Sequence, residues 1–124
     1  MKKVIVANLT HPLQQSLKVS YCVSFLCQLR GLTFRRSLDP QDGLVLVQRH
    51  DSRLDASIHM MGVYFDLAII WINNAGQVVD RCLALRGRPA YFPKAPARYV
   101  LEIVPDRMEQ FQIGDQVRFE EALP

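Results

Sequence analysis

The chain of 124 residues contains no apolar run near the ~20 residues of a membrane-spanning helix, which argues against a helical membrane protein. At the N-terminus, Lys2 and Lys3 precede an apolar run that imitates a signal peptide. Asn8 ends it after Val4, Ile5, Val6 and Ala7, short of the roughly 7–15 residues of a signal core. Secretion is not expected, and a cytoplasmic protein is. Cysteine is scarce and odd in number: Cys22, Cys27 and Cys82 sit among apolar neighbours and read as buried, reduced thiols. The separation of Cys22 and Cys27 lacks the close-paired spacing of a zinc site, and no signal ties any thiol to a histidine. Neither a metal, nor a cofactor, nor a catalytic cysteine is expected. Lysine is also rare. Of 15 basic residues only Lys2, Lys3, Lys18 and Lys94 are lysines, and the rest are arginines, which suit planar and bidentate contacts. The net charge of +3 is too small for the basic excess of a nucleic-acid binder.

What is present is ordinary for one globular domain over residues 1–124: 49% hydrophobic and 22% charged residues, with no internal repeat or low-complexity tract. Lys3 to Asn8 is β-branched and reads as a strand, broken by His11-Pro12. Phe25, Leu26 and Leu29 form a helical stripe over Ser24 to Arg30, with Ser24 as N-cap and Gly31 just past the end. After the turn Asp39–Gly43, Leu44 to Val47 reads as a buried strand and Gln48 to Asp55 as a polar loop. Ser57 to Met61 and Leu67 to Ile72 are further strands, the second apolar on both faces. Asn73–Gly76 is a hairpin turn leading into Gln77 to Leu85. Prolines 89, 93 and 96 exclude a regular element over 86–96. Ala97 to Val104 is a strand, Asp106 to Phe111 a helical turn or two, and Gln116 to Glu120 a last alternating strand. Short strands without βαβ alternation predict a mainly β fold: an antiparallel β-sandwich or partly closed barrel, with one short N-terminal helix and a short helical turn near the C-terminus.

Three stretches carry a resemblance. They are Leu29-Arg30-Gly31-Leu32-Thr33-Phe34-Arg35; Ile58-His59-Met60-Met61 running through Ile69-Ile70-Trp71-Ile72 to Gly76-Gln77-Val78-Val79; and Ala97-Arg98-Tyr99-Val100-Leu101-Glu102 followed by Ile113-Gly114-Asp115-Gln116-Val117. In order and spacing this resembles the domain of unknown function 192 (DUF192) family, small and mostly β, over about residues 24–119. The resemblance implies no agreed activity. The family pattern Arg-Gly-Leu-Met-x-Arg falls on Arg30, Gly31, Leu32 and Arg35, with Thr33 in the methionine position. Its Phe-Pro-Ile-Asp falls on Phe65-Asp66-Leu67-Ala68, so the family's aspartate is absent and an activity resting on it would be lost here.

The candidate ligand-binding residues are Arg30, Arg35, His59, Asp66, Glu102, Arg86, Arg88 and Arg98; none is assigned a catalytic role. Arg30 and Arg35 suit a carboxylate or phosphate, but read first as a helix cap and an ion pair to a carboxylate such as Asp39 or Asp42. His59, between Ile58 and Met60, reads as a core histidine bonded to backbone before a general base. Asp66 reads as the water-side start of a strand. Glu102 alternates toward solvent, while the resemblance places a Leu-Glu pair there and suggests pairing with Arg30 or Arg35. Arg86, Arg88 and Arg98 belong to an acid-free block, Arg81–Arg98, interleaved with Tyr91, Phe92 and Tyr99; an acidic block follows over 102–121.

The favoured reading is a non-catalytic module with an arginine and aromatic surface, binding a small anionic or sugar-like ligand or a protein partner. The alternative is a small hydrolase-like or other acid–base enzyme using His59 with a carboxylate. A homodimer through exposed apolar surface is a third arrangement.

Overall fold

The computed structural model describes residues 2–122. Seven strands, β1 (Lys3–Asn8), β2 (Lys18–Cys22), β3 (Leu44–Ser52), β4 (Leu67–Ile72), β5 (Val78–Ala84), β6 (Ala97–Ile103) and β7 (Val117–Glu121), form one sheet in the order β5-β4-β6-β3-β2-β1-β7. β4 is buried along its whole length because it lies between β5 and β6 with both faces covered. The sheet curls until its two edges meet at one end. There Val78 N–H donates to the Asp115 carbonyl at 2.9 Å and Val117 N–H donates to that of Gly76 at 2.7 Å. The result is a curled half-barrel, the partly closed barrel of the two expected forms.

Alternation then sorts side chains onto two faces. The concave face packs Val4, Val45, Ala68, Ile70, Leu101 and Phe111 into an inner core. The convex face packs Leu46, Ile58, Met60, Ile69, Trp71 and Val100 into an outer one. Loops cover that outer core, and the Trp71 indole N–H donates to the Ala56 carbonyl at 2.8 Å.

Several expectations need correction. The sheet is not wholly antiparallel, since β2 runs parallel to β3. A parallel pair needs a crossover, and the segment 23–43, containing helix α1 (Phe25–Arg30), provides it. β2 itself carries no clean alternation and was not expected. β3 continues through Ser52, across residues that read as loop. Ser57 to Met61 is no strand; the bridge of Ile58 to Tyr91 and backbone hydrogen bonds of Met60 with Gly87 and Arg88 hold it.

Cys22 and Cys27 are not reduced thiols but a disulfide, because the turn capped by Ser24 brings their Cα atoms to 5.8 Å. Cys82 is the free thiol, pushed up to about 11 by burial and by Asp80. Helix α1 buries none of its residues, and Phe25 is 78% exposed. Six residues offer one narrow contact face, and it is taken by Cys27, in the disulfide, and Gln28, whose amide donates to the Val47 carbonyl at 2.7 Å. Among the described residues no helix is long and apolar enough to cross a membrane.

The hairpin between β4 and β5 turns on Gly76, at φ 84°. A Cβ there would come within 2.6 Å of the Val117 carbonyl, where the sheet edges meet. Gly76→Ala is therefore expected to cost about 2 kcal/mol or more, from backbone strain and the lost edge contact together. Chemical denaturation would show it; an unchanged midpoint would mean the edges are not held by this turn.

Candidate functional site

Beneath α1 and its following loop lies a small cavity of about 60 Å³ on the convex face. Its floor is Glu102, on β6 between Leu44 of β3 and Ile69 of β4. Apolar neighbours on both adjacent strands and a loop overhead leave this residue 5% exposed. Among the described residues no group hydrogen-bonds or ion-pairs with its carboxyl. Burial pushes Glu102 up to about 8, so the group is mostly a neutral acid at pH 7. The walls are apolar, Leu32, Leu46, Ile58, Met60 and Val63, and Arg30 and His59 stand exposed at the mouth. The hydroxyls of Thr33 and Ser57 also line it, but both donate to backbone carbonyls, of Arg30 and Leu54, at 2.6 Å.

Three of the residues nominated from sequence, Arg30, His59 and Glu102, thus come together. They do so differently than expected. Glu102 neither faces solvent nor pairs with Arg30 or Arg35, because the loop over 53–66 covers its face. His59 is exposed instead of buried, since its neighbours Ile58 and Met60 take the inward positions. Arg35 is engaged by Asp42 at 3.5 Å.

The remaining candidates lie elsewhere. Asp66 is half-buried, and its Oδ1 accepts the Arg86 N–H at 2.9 Å, which fastens the turn after β5. Neither Arg86 nor Arg88 engages its guanidinium among the described residues. Arg98 donates from Nε to the Gln48 carbonyl at 2.8 Å and lies over the Tyr99 ring at 5.2 Å. The block 81–98 is therefore no single cationic face. Arg81 pairs with Glu109 at 3.4 Å, and the Tyr91 hydroxyl accepts from Leu85 N–H. Ala68, in the place of the family aspartate, is sealed in the inner core. Among the described residues no three His, Cys, Asp or Glu side chains are placed to hold a metal ion.

Two polar clusters were missed. Arg107, in the expected helical turn over 106–111, is buried and donates to the carbonyls of Gln15, Ser16 and Pro40 at 2.8–3.1 Å. Asp115 follows Gly114 just before β7. Burial alone would raise its carboxyl, yet hydrogen bonds from Asn8 and Gln112 N–H, and His11 Nδ1 at 2.8 Å, hold it below the usual range. Its place just after Gly114 was the only signal for it, and that pairing is common to turns.

The DUF192 family profile, described as Uncharacterized ACR, COG1430, matches residues 6–119. The chain belongs to the DUF192 family. It is 27% identical over 117 residues to the UPF0127 protein of Pyrococcus horikoshii, covering 93% of this chain and 98% of that protein. The UPF0127 protein of Thermococcus kodakarensis is 35% identical over 85 residues, 68% of this chain. That match spans about half of the relative's length, 52%. Two crystal structures share the fold. A proposed transcription regulator from Sinorhizobium meliloti superposes with a TM-score of 0.81 at 19% identity, covering 95% of this chain and 92% of that one. A protein of unknown function from Novosphingobium aromaticivorans gives 0.80 at 20% identity, covering 94% and 83%. At these identities the likeness is one of fold, and the DUF192 cavity has to be read from its own residues.

Proposed function

We propose that this DUF192 protein is a non-catalytic binding module whose ligand seats one small polar head group on Glu102, between Arg30 and His59. The observation that carries this reading is a buried carboxyl with no protein partner. Its oxygens are open to the cavity and not sealed in the core, so a ligand entering there can make the hydrogen bond that the protein does not. Because Glu102 holds its proton, it can donate to an acceptor, and the flanking Arg30 favours an anionic one. The hydroxyls in the cavity are committed to backbone, so no nucleophile stands ready.

A thermal-shift and NMR titration series with acetate, phosphate, glycerol and glucose tests the reading. At least one should bind, stabilising the protein by about 2.7 kcal/mol at a hundredfold excess over its Kd. Glu102→Leu, which fills the cavity, should abolish the shift. No response to any of the four would overturn the reading.

One observation favours an acid–base enzyme instead: His59 and a carboxyl of raised pKa share a single cavity. A ligand recovered unchanged after prolonged incubation supports the module. Conversion that disappears in both Glu102→Gln and His59→Gln would establish the enzyme.

A further inference from the structure

The mouth of the Glu102 cavity opens onto an apolar collar. Leu29 both lines the cavity and is 60% exposed. Phe34 follows the lining residue Thr33 and is 74% exposed, and the exposed Met61 and Tyr64 follow the lining residues Met60 and Val63. The two strips are joined. Phe34 N–H donates to the Gly62 carbonyl at 2.8 Å, and the Phe34 and Tyr64 rings meet edge to face at 6.3 Å.

Phe34 reaches this position at a cost. Its φ is 64°, a left-handed conformation that a bulky residue rarely adopts, and it is the one non-glycine residue with positive φ among those described. Backbone strain of this kind, on the order of 1–3 kcal/mol, concentrates at ligand sites. Here it holds an aromatic ring out in water instead of burying it. A cavity of about 60 Å³ admits a carboxylate-sized head and no more, so the rest of any larger ligand must lie across the collar.

We propose that the site takes a free, single-chain fatty carboxylate. Its head enters the cavity and accepts a hydrogen bond from Glu102 beside Arg30 and His59, and its alkyl chain lies over Leu29, Phe34, Met61 and Tyr64. The proposal rests on the binding-module reading and adds the ligand class. Charge complementarity selects it: the mouth offers Arg30 and no exposed acid among the lining residues, which disfavours a cationic amphiphile. The small cavity disfavours a bulky phospholipid head, and an exposed apolar surface contiguous with a polar slot fits one chain.

The test compares acetate, decanoate and decyltrimethylammonium by NMR titration, below micelle-forming concentrations, with sedimentation against anionic phospholipid vesicles as a separate arm. Decanoate should bind about 100-fold tighter than acetate, since eight added methylenes gain partial burial on the collar. Phe34→Ser with Tyr64→Ser, neither of which lines the cavity, should remove that gain while leaving acetate binding intact. Arg30→Ala should weaken both carboxylates.

Acetate or another small head group binding with no gain for decanoate would overturn the fatty-carboxylate proposal and leave the module standing. Equal binding of the decyl cation, or binding to vesicles without binding of free decanoate, would also overturn it. Silence to decanoate and to every small head group would remove both readings.

Discussion

Glu102→Gln is expected to stabilise the protein by about 3–5 kcal/mol near pH 9 and by well under 1 kcal/mol near pH 4. Burial raises Glu102 from an ordinary 4.5 to about 8. Between those values the folded protein keeps the proton while the unfolded chain loses it. Stability contributed by the neutral acid is therefore complete below about 4.5 and falls as pH rises to about 8, beyond which both states are ionised. Glutamine has the same shape and never ionises, so its stability curve should be flat over the window where the wild type declines. Urea denaturation of both proteins at about pH 4, 6, 7.5 and 9 measures this. Parallel curves would mean that the carboxyl finds a cationic partner in the fold.

A second large effect is expected at Arg107. Arg107→Ala should cost about 3–4 kcal/mol, because three carbonyls in two separate loops lose their shared donor at once. Arg107→Lys keeps the charge but offers one compact ammonium where a fork spans Gln15, Ser16 and Pro40. It should recover less than half of the loss. Denaturation midpoints at neutral pH would distinguish the two variants. A lysine variant as stable as the wild type would mean that charge matters here and geometry does not.

The contrast between β4 and β2 explains what was legible. Leu67 to Ile72 is apolar at every position, so burial on both faces follows from composition alone. Lys18 to Cys22 is mixed, and it becomes a strand because β1 and β3 hydrogen-bond to it from either side. Helix α1 was readable from its caps, which are local, but not its orientation. The side facing the protein was chosen by the Cys22–Cys27 bond and by Gln28, not by the Phe25 and Leu26 stripe.

The candidate site divides in the same way. Arg30, His59 and Glu102 stand out individually as polar groups in apolar or glycine-marked settings. Their meeting in one cavity depends on a parallel crossover and a covering loop, both long-range.

By itself, the sequence determined the β class, most strand positions, the hairpin at Gly76 and the family, since these rest on periodicity, turn chemistry and motif order over short spans. Only the tertiary structure decided that the sheet closes on itself at β5 and β7, that Glu102 faces a covered layer and not water, and that Arg107 is buried. Alternation along a strand separates two faces but carries no information on what lies over either. That is settled by loops packed from distant parts of the chain, where burial is decided.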